Sequence, residues 1–161
     1  MSLSADDIGI IAAYSGDAYK AINDYLRQDN SGDPMIEEQI VRLDRAIASN
    51  PAPATVTVYR GIGETFAADL ESRGLAVGDI IQDRGFLSTS RHRDIAAAFM
   101  RSSAGMLLAI HVPVGGKALD IAALSAYPGE AEIMLARGAR LRVAGYDPVA
   151  DILELELLCD E

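Results

Sequence analysis

The sequence predicts an α+β domain with mostly antiparallel strands, and three observations predict it. Apolar residues recur at helical spacing through roughly the first fifty positions. The period then falls from about 3.6 to about 2 beyond Pro53, and few helices interrupt the later strand candidates. A helical part covers about 1–50 and a strand-rich part about 55–161. Pro51 to Pro53 is too short to divide them, so 1–161 is expected to fold as one domain.

In the helical part, Ser4 can cap a segment running through Ile8, Ile11 and Ala12. Gly16-Asp17 is expected to open a second helix carrying Tyr19, Ile22, Tyr25 and Leu26 on one face. Asp33-Pro34 is a strong start signal, because Asp satisfies free amides and Pro is tolerated at the first helical position. The helix that follows sets Ile36, Ile40, Leu43 and Ile47 along one stripe.

Thr55 to Tyr59 is β-branched and reads as a strand. Further strands are expected at Asp79 to Gln82, Gly85 to Thr89, Met106 to Val112, Glu130 to Ala136, Arg140 to Ala144 and Ile152 to Leu158. Two helices interrupt them, near Thr65 to Arg73 and Arg91 to Ser102.

A chain of 161 residues can bury roughly 70% of its unfolded surface, enough for a real core. No apolar run nears the ~18 residues of a membrane span. Lys plus Arg number 14 against 24 for Asp plus Glu, and a net charge of −10 repels phosphate backbones, so nucleic acid is not expected as a partner. The single Cys159 excludes an internal disulfide, and two histidines without ligand spacing leave no metal site to expect. The first residues lack the basic and apolar regions of a secretory signal. Synthesis as a cytoplasmic protein is therefore expected, with signal-independent delivery or secretion into a target cell left open.

Three features can carry chemistry. Arg60 ends a β-branched strand and is followed by Gly61; it is either a solvated strand-end arginine or a fork that holds a diphosphate through two charge-assisted hydrogen bonds. Phe86 to Ser90 ends in three hydroxyls before a helix. Ser90 suffices as a cap, which leaves Ser88, on the same strand face, to orient a carboxylate or ligand. Tyr127-Pro128-Gly129 leads into Glu130-Ala131-Glu132. In an extended strand two residues so spaced share a face with Cα atoms roughly 6 to 7 Å apart, and the less solvated carboxyl titrates upward. Glu154 and Glu156 have identical spacing on an ordinary half-buried strand, so the turn ahead of the first pair is what distinguishes it. His111, within an apolar strand, is read as a hydrogen-bonded core or edge histidine.

Breaking a ribosyl bond to a cationic nicotinamide creates an oxocarbenium-like sugar, against which carboxylates are the usual stabilisers. NAD as donor needs an arginine for its phosphates and a hydroxyl to fix the carboxylate, and Arg60, Ser88 and the glutamate pair supply all three.

In that order, an aromatic-Arg-Gly strand end, Ser-Thr-Ser and Glu-x-Glu resemble the R-S-E class of mono-ADP-ribosyltransferases, in the branch of the C3-like exoenzymes and the binary-toxin enzymatic components. Tyr14 to Arg27 also resembles the family helix of form Tyr-x-x-x-Asn-x-Tyr-Leu-Arg, and the likeness runs from about Tyr14 to Leu157. It implies two roughly perpendicular, mainly antiparallel sheets with the amino-terminal helices alongside and NAD in the cleft between. It implies that Glu132 is catalytic, that Ser88 bonds it, that Arg60 holds the NAD phosphates, and that Glu130 positions or deprotonates the acceptor guanidinium, making arginine the expected target. Gly61, Tyr19, Asn23, Thr89, Ser90 and Phe99 fall at donor-binding positions, and Tyr127 at the substrate-recognition turn. Gly85 stands where some relatives carry an asparagine, and Gly61 where some carry a second basic residue. The expected partner is a protein with a modifiable arginine, an immunity or delivery partner being left open. NAD hydrolysis, or a catalytically silent module that keeps the fold, are the competing readings.

Overall fold

A computed structural model of the chain describes residues 3–98, 100, 105–124 and 128–159. Phe99 and Tyr127, and the end of the helix expected near Arg91 to Ser102, lie outside the described residues.

Helix α1 (Ala5–Ala13) begins at Ser4, whose hydroxyl accepts from the Asp7 amide while the Asp7 carboxylate accepts from the Ser4 amide, a reciprocal cap. The expected break at Gly16-Asp17 is absent. The chain passes through a π-turn, Tyr14–Ala18, directly into α2 (Tyr19–Arg27), which has no side-chain cap. Adjusting the helical register absorbed the glycine without ending the helix. Helix α3 (Pro34–Ala48) starts as expected, with Asp33 Oδ1 accepting from the amides of Met35 and Ile36 at 3.1 and 3.2 Å. Arg45 of α3 pairs with Asp7 of α1, tying the two helices together.

The strands are β1 (Val56–Ile62), β2 (Ile80–Gln82), β3 (Leu87–Ser90), β4 (Met106–Val112), β5 (Ala118–Asp120), β6 (Glu132–Leu135), β7 (Arg140–Asp147) and β8 (Ile152–Leu157). Helices α4 (Glu64–Ser72) and α5 (Arg93–Ala98) lie among them. The α+β class holds, and every strand pair is antiparallel except β4–β8. Strand order is β2-β7-β8-β4-β1-β3-β6-β5, but β1 and β3 meet only at Tyr59↔Ser90. A five-strand half and a three-strand half therefore join through one residue pair, and the sheet opens at that seam.

The main core runs through both halves, with Leu87, Ala118, Ile133 and Leu135 of the three-strand half in the same cluster as the five-strand half. Val58, Ile110, Leu155 and their neighbours bury the five-strand half with Ala67 and Leu70 of α4. Tyr14, Ile22, Leu43 and Ile47 of the amino-terminal helices pack with Phe86, Leu119, Ile121 and Met134. Helix α5 presses Ala96 onto Leu107 and Ala109.

Three expectations need correction. Strand β5 was not foreseen, because Ala118-Leu119-Asp120 is too short to show alternation. His111 is exposed on the central strand β4, its Nδ1 3.1 Å from the Thr57 hydroxyl, and is neither core nor edge. Glu130 lies in a 3₁₀ turn (Pro128–Glu130) rather than in a strand, and Ala131 beyond it has φ 49°. The two-residue strand repeat does not relate Glu130 to Glu132.

Candidate active site

Three adjacent strands bring the motifs together. Arg60 follows Tyr59, the residue of β1 that meets Ser90, and Ser90 in turn faces Glu132 across β3 and β6. Arg60, Ser88, Glu130 and Glu132 all line one cavity of about 470 Å³, closed on its other side by Tyr14, Tyr19, Asn23 and Arg27. Cavities of this size suit a small-molecule ligand.

Arg60 is partly buried, and its Nη1 donates to the Ser88 carbonyl at 2.9 Å. That bond bridges the seam where the β1–β3 ladder stops. Among the described residues no carboxylate forms an ion pair with it. Burial, reinforced by Arg27 nearby, pushes its guanidinium below the ordinary arginine value, with Asp83 and Tyr14 opposing. A buried cation without a carboxylate partner is what an incoming anion can satisfy. Arg27 reaches the same cavity with its Nε 3.1 Å from Asp83 Oδ1.

Glu132 is only 7% exposed. Burial raises its carboxyl above the ordinary value of 4.5; the Ser88 hydroxyl beside it favours the charged form, and the Glu130 charge adds to the rise.

The Ser-Thr-Ser strand holds the glutamate segment in place. The Thr89 hydroxyl donates to the Ile133 carbonyl at 2.6 Å and the Ser90 hydroxyl to the Glu130 carbonyl at 2.7 Å. Ser90 Oγ also accepts from the His92 amide at 3.0 Å, the local turn that leads into α5. These bonds fix the turn in which Ala131 takes a left-handed conformation, one that costs a non-glycine residue on the order of 1 kcal/mol.

On the helical wall, Asn23 Nδ2 donates to the Tyr14 hydroxyl at 3.0 Å, and Asn23 Oδ1 accepts from the Phe86 amide at 2.9 Å. Asn23 thus ties α2 to the start of β3, and Tyr19 stands edge-on to Tyr14 with ring centroids 6.2 Å apart.

The sequence matches the description ADP-ribosyltransferase exoenzyme over residues 1–158. The chain belongs to the ADP-ribosyltransferase exoenzyme family. Among solved structures it is similar to Plx2a, an ADP-ribosyltransferase toxin from Paenibacillus larvae, with TM-score 0.81 and 23% identity over 98% of this chain and 88% of that one. It is similar to C3stau2 from S. aureus, solved with NAD, with TM-score 0.80 and 24% identity over 99% and 89%. A third likeness is the ADP-ribosyltransferase Vis in complex with agmatine, with TM-score 0.73 and 22% identity over 97% and 75%. No curated protein matches the sequence.

Gly85 and Gly61 both sit in tight surroundings. A Cβ at Gly85 would lie 2.9 Å from Asn23 Oδ1 and 3.0 Å from Arg27 Nε, so an asparagine has no room unless those side chains move. A Cβ at Gly61 would lie 2.1 Å from the Ala96 carbonyl oxygen, because α5 crosses β1 there. Gly61 lines the cavity through its backbone and can carry no basic side chain.

Of the residues singled out from the sequence, Arg60, Gly61, Tyr19, Asn23, Ser88, Thr89, Ser90, Glu130 and Glu132 all line this cavity. Tyr14 and Arg27 also line it but were seen only as parts of a helix motif. The available signal was their position on the Tyr19–Asn23 face, at i−5 and i+4, with the π-turn turning Tyr14 inward. Among the described residues no cluster of three His, Cys, Asp or Glu is placed to hold a metal, and no helix is long and apolar enough to cross a membrane.

Proposed function

We propose that the chain is a mono-ADP-ribosyltransferase that moves ADP-ribose from NAD to an arginine side chain of a target protein. The observation that supports this most is one cavity lined by a partly buried arginine without a carboxylate partner and by two neighbouring carboxyl groups in unlike environments.

Arg60, with Arg27 across the cavity, binds the donor's diphosphate by charge-assisted hydrogen bonds. Glu132, steadied by Ser88, accepts a hydrogen bond from the nicotinamide-side ribose and stabilises the positive charge that grows as nicotinamide leaves. Its burial makes that charge interaction stronger than it would be in water. Tyr19 and Asn23 cover the donor's adenosine side. Glu130, nearer solvent on its turn, orients the acceptor guanidinium and takes its proton as the new carbon–nitrogen bond forms. Agmatine, bound by the similar Vis, carries that same guanidinium group, which supports arginine as the acceptor. The net charge of −10 favours a cationic surface around it.

Incubating the protein with labelled NAD and a cell lysate tests this. A labelled protein band is expected with wild type and none with Glu132→Ala; equal labelling by both removes Glu132 from the reaction. Glu130→Gln is expected to lower arginine modification at least about 10²-fold while sparing most nicotinamide release. Equal loss of both activities would favour hydrolysis, with water as the acceptor.

A further inference from the structure

A backbone amide only donates, and one such group fixes the orientation of Asn23. The Phe86 amide donates to Asn23 Oδ1 at 2.9 Å, so the opposite end of that side chain is its NH2 group, which donates to the Tyr14 hydroxyl at 3.0 Å. Asn23 is 5% exposed and Tyr14 0%, and water does not replace either bond. Tyr14 Oη therefore accepts from Asn23 and has its own proton to place on another acceptor. The Ser88 hydroxyl is its second side-chain partner, and burial raises the Tyr14 phenol above its ordinary value, so it keeps that proton. A Ser88 oxygen that accepts from Tyr14 is left with one proton to donate, and the Glu132 carboxyl is its hydrogen-bonding partner on the other side.

The backbone sets these groups on one face. Phe86, just before β3, points the same way as Ser88 and Ser90, and across the ladder Ser88 stands opposite Met134 and Ser90 opposite Glu132. Tyr14 packs edge-on against Phe86 with ring centroids 5.9 Å apart, and both share a core cluster with Met134. The π-turn Tyr14–Ala18 is the local irregularity that turns the phenol towards this face.

We propose that Tyr14 is a positioning residue for Glu132: through it the Phe86 amide and Asn23 fix the direction of the Ser88 hydroxyl, which then donates to the glutamate. Neutral donors favour the charged form of a buried carboxyl without setting a cation beside the sugar cation that forms in the reaction. The chain of bonds stands on this geometry alone; its use in catalysis rests on the reading of the cavity as the NAD site.

Besides Ser88, the titratable and charged groups facing Glu132 are Glu130 on the preceding turn, Tyr14 on the helical wall, and Arg60 and Arg27 across the cavity. Glu130, Arg60 and Arg27 stay unchanged throughout the test. NMR of the Glu132 carboxyl carbon across pH, in ligand-free protein, reads the chain of bonds without NAD. Tyr14→Phe keeps the ring and is expected to raise the proton affinity of Glu132 about twofold or more, and to have no such effect in a Ser88→Ala background. An equal rise in both backgrounds would mean that Tyr14 acts on Glu132 directly, and no rise in either that Ser88 needs no guide; each overturns the proposal. Asn23→Asp turns the Tyr14 proton away from Ser88. Its effect on Glu132 is expected to be about threefold larger with Tyr14 present than in a Tyr14→Phe background, where the added charge acts alone, and equal effects overturn the assigned direction. In nicotinamide release, Tyr14→Phe is expected to lower kcat about threefold or more with KM for NAD within about twofold of wild type. A raised KM with kcat unchanged would make Tyr14 a donor contact and end its role through Ser88. A wild type that releases no nicotinamide removes the NAD reading and leaves the titrations to decide the chain of bonds.

Discussion

Glu132 places a carboxyl in a buried position on β6 with a second acid, Glu130, close enough to raise it further. Because its folded value lies above the unfolded one, the native protein holds that proton at a pH where the unfolded chain has released it. The stability tied to the group is therefore fully present below the unfolded value, near 4.5, and is lost as pH rises through the folded value. Glu132→Gln keeps the shape without the charge. The variant is expected to be more stable than wild type at pH 7, with the difference shrinking as pH falls towards 4. Urea unfolding at both pH values checks this, and a gain that stays constant with pH would mean that the carboxyl does not titrate high. That Glu132, Ser88 and Arg60 converge on one cavity was legible in the sequence because each belongs to a short strand-end motif whose residue types have few uses together. The route by which Glu130 reaches the cavity was not legible. It depends on a left-handed Ala131, a conformation that alanine rarely takes and that the Ser90 and Thr89 hydroxyls impose from another strand.

Helix α5 and strand β1 are the elements whose contact sets the floor of the site. Ala96 packs on Leu107 and Ala109, and its carbonyl approaches Gly61 so closely that a methyl group there would lie 2.1 Å from the oxygen. The obstacle is backbone, so either the helix or the strand has to shift. Gly61→Ala is expected to destabilise the fold by about 1–3 kcal/mol or more, lowering Tm by roughly 5 °C or more, and to weaken NAD binding because Arg60 is the preceding residue. Circular dichroism melting checks the first part; an unchanged Tm would show that α5 is free to move off β1. The elements themselves were mostly legible: caps at Ser4 and Asp33 mark helix starts, and β-branched runs mark β1 and β4. Close approach between elements was not, since Gly61 in a strand reads equally as a bend, a bulge or a bare contact.

At the scale of the whole molecule, two parts of the sheet meet at a seam one residue pair wide, and the cavity occupies that seam. Its walls come from both halves, with Arg60 from the five-strand half, Glu132 and Ser88 from the three-strand half, and Tyr19, Asn23 and Arg27 from the helices. Strand order could not be read from periodicity, because pairing β1 with β3 across such a short contact leaves no pattern in either segment; the resemblance to a family implied antiparallel sheets with a cleft between them, but not their strand order. A ligand that touches all three groups adds the cross-links that the β1–β3 ladder lacks. Binding to the native state alone stabilises by about 2.7 kcal/mol at a hundred times Kd, which for a chain of this size raises Tm by roughly 5–10 °C. NAD at that excess is expected to produce this rise in wild type and little or none in Arg60→Ala, whose melting without NAD should lie within a few degrees of wild type if the loss is one of binding. Scanning calorimetry with and without NAD checks both. A wild-type Tm that millimolar NAD does not move would mean that the two halves and the helices do not close on the dinucleotide, whatever residues line the space between them.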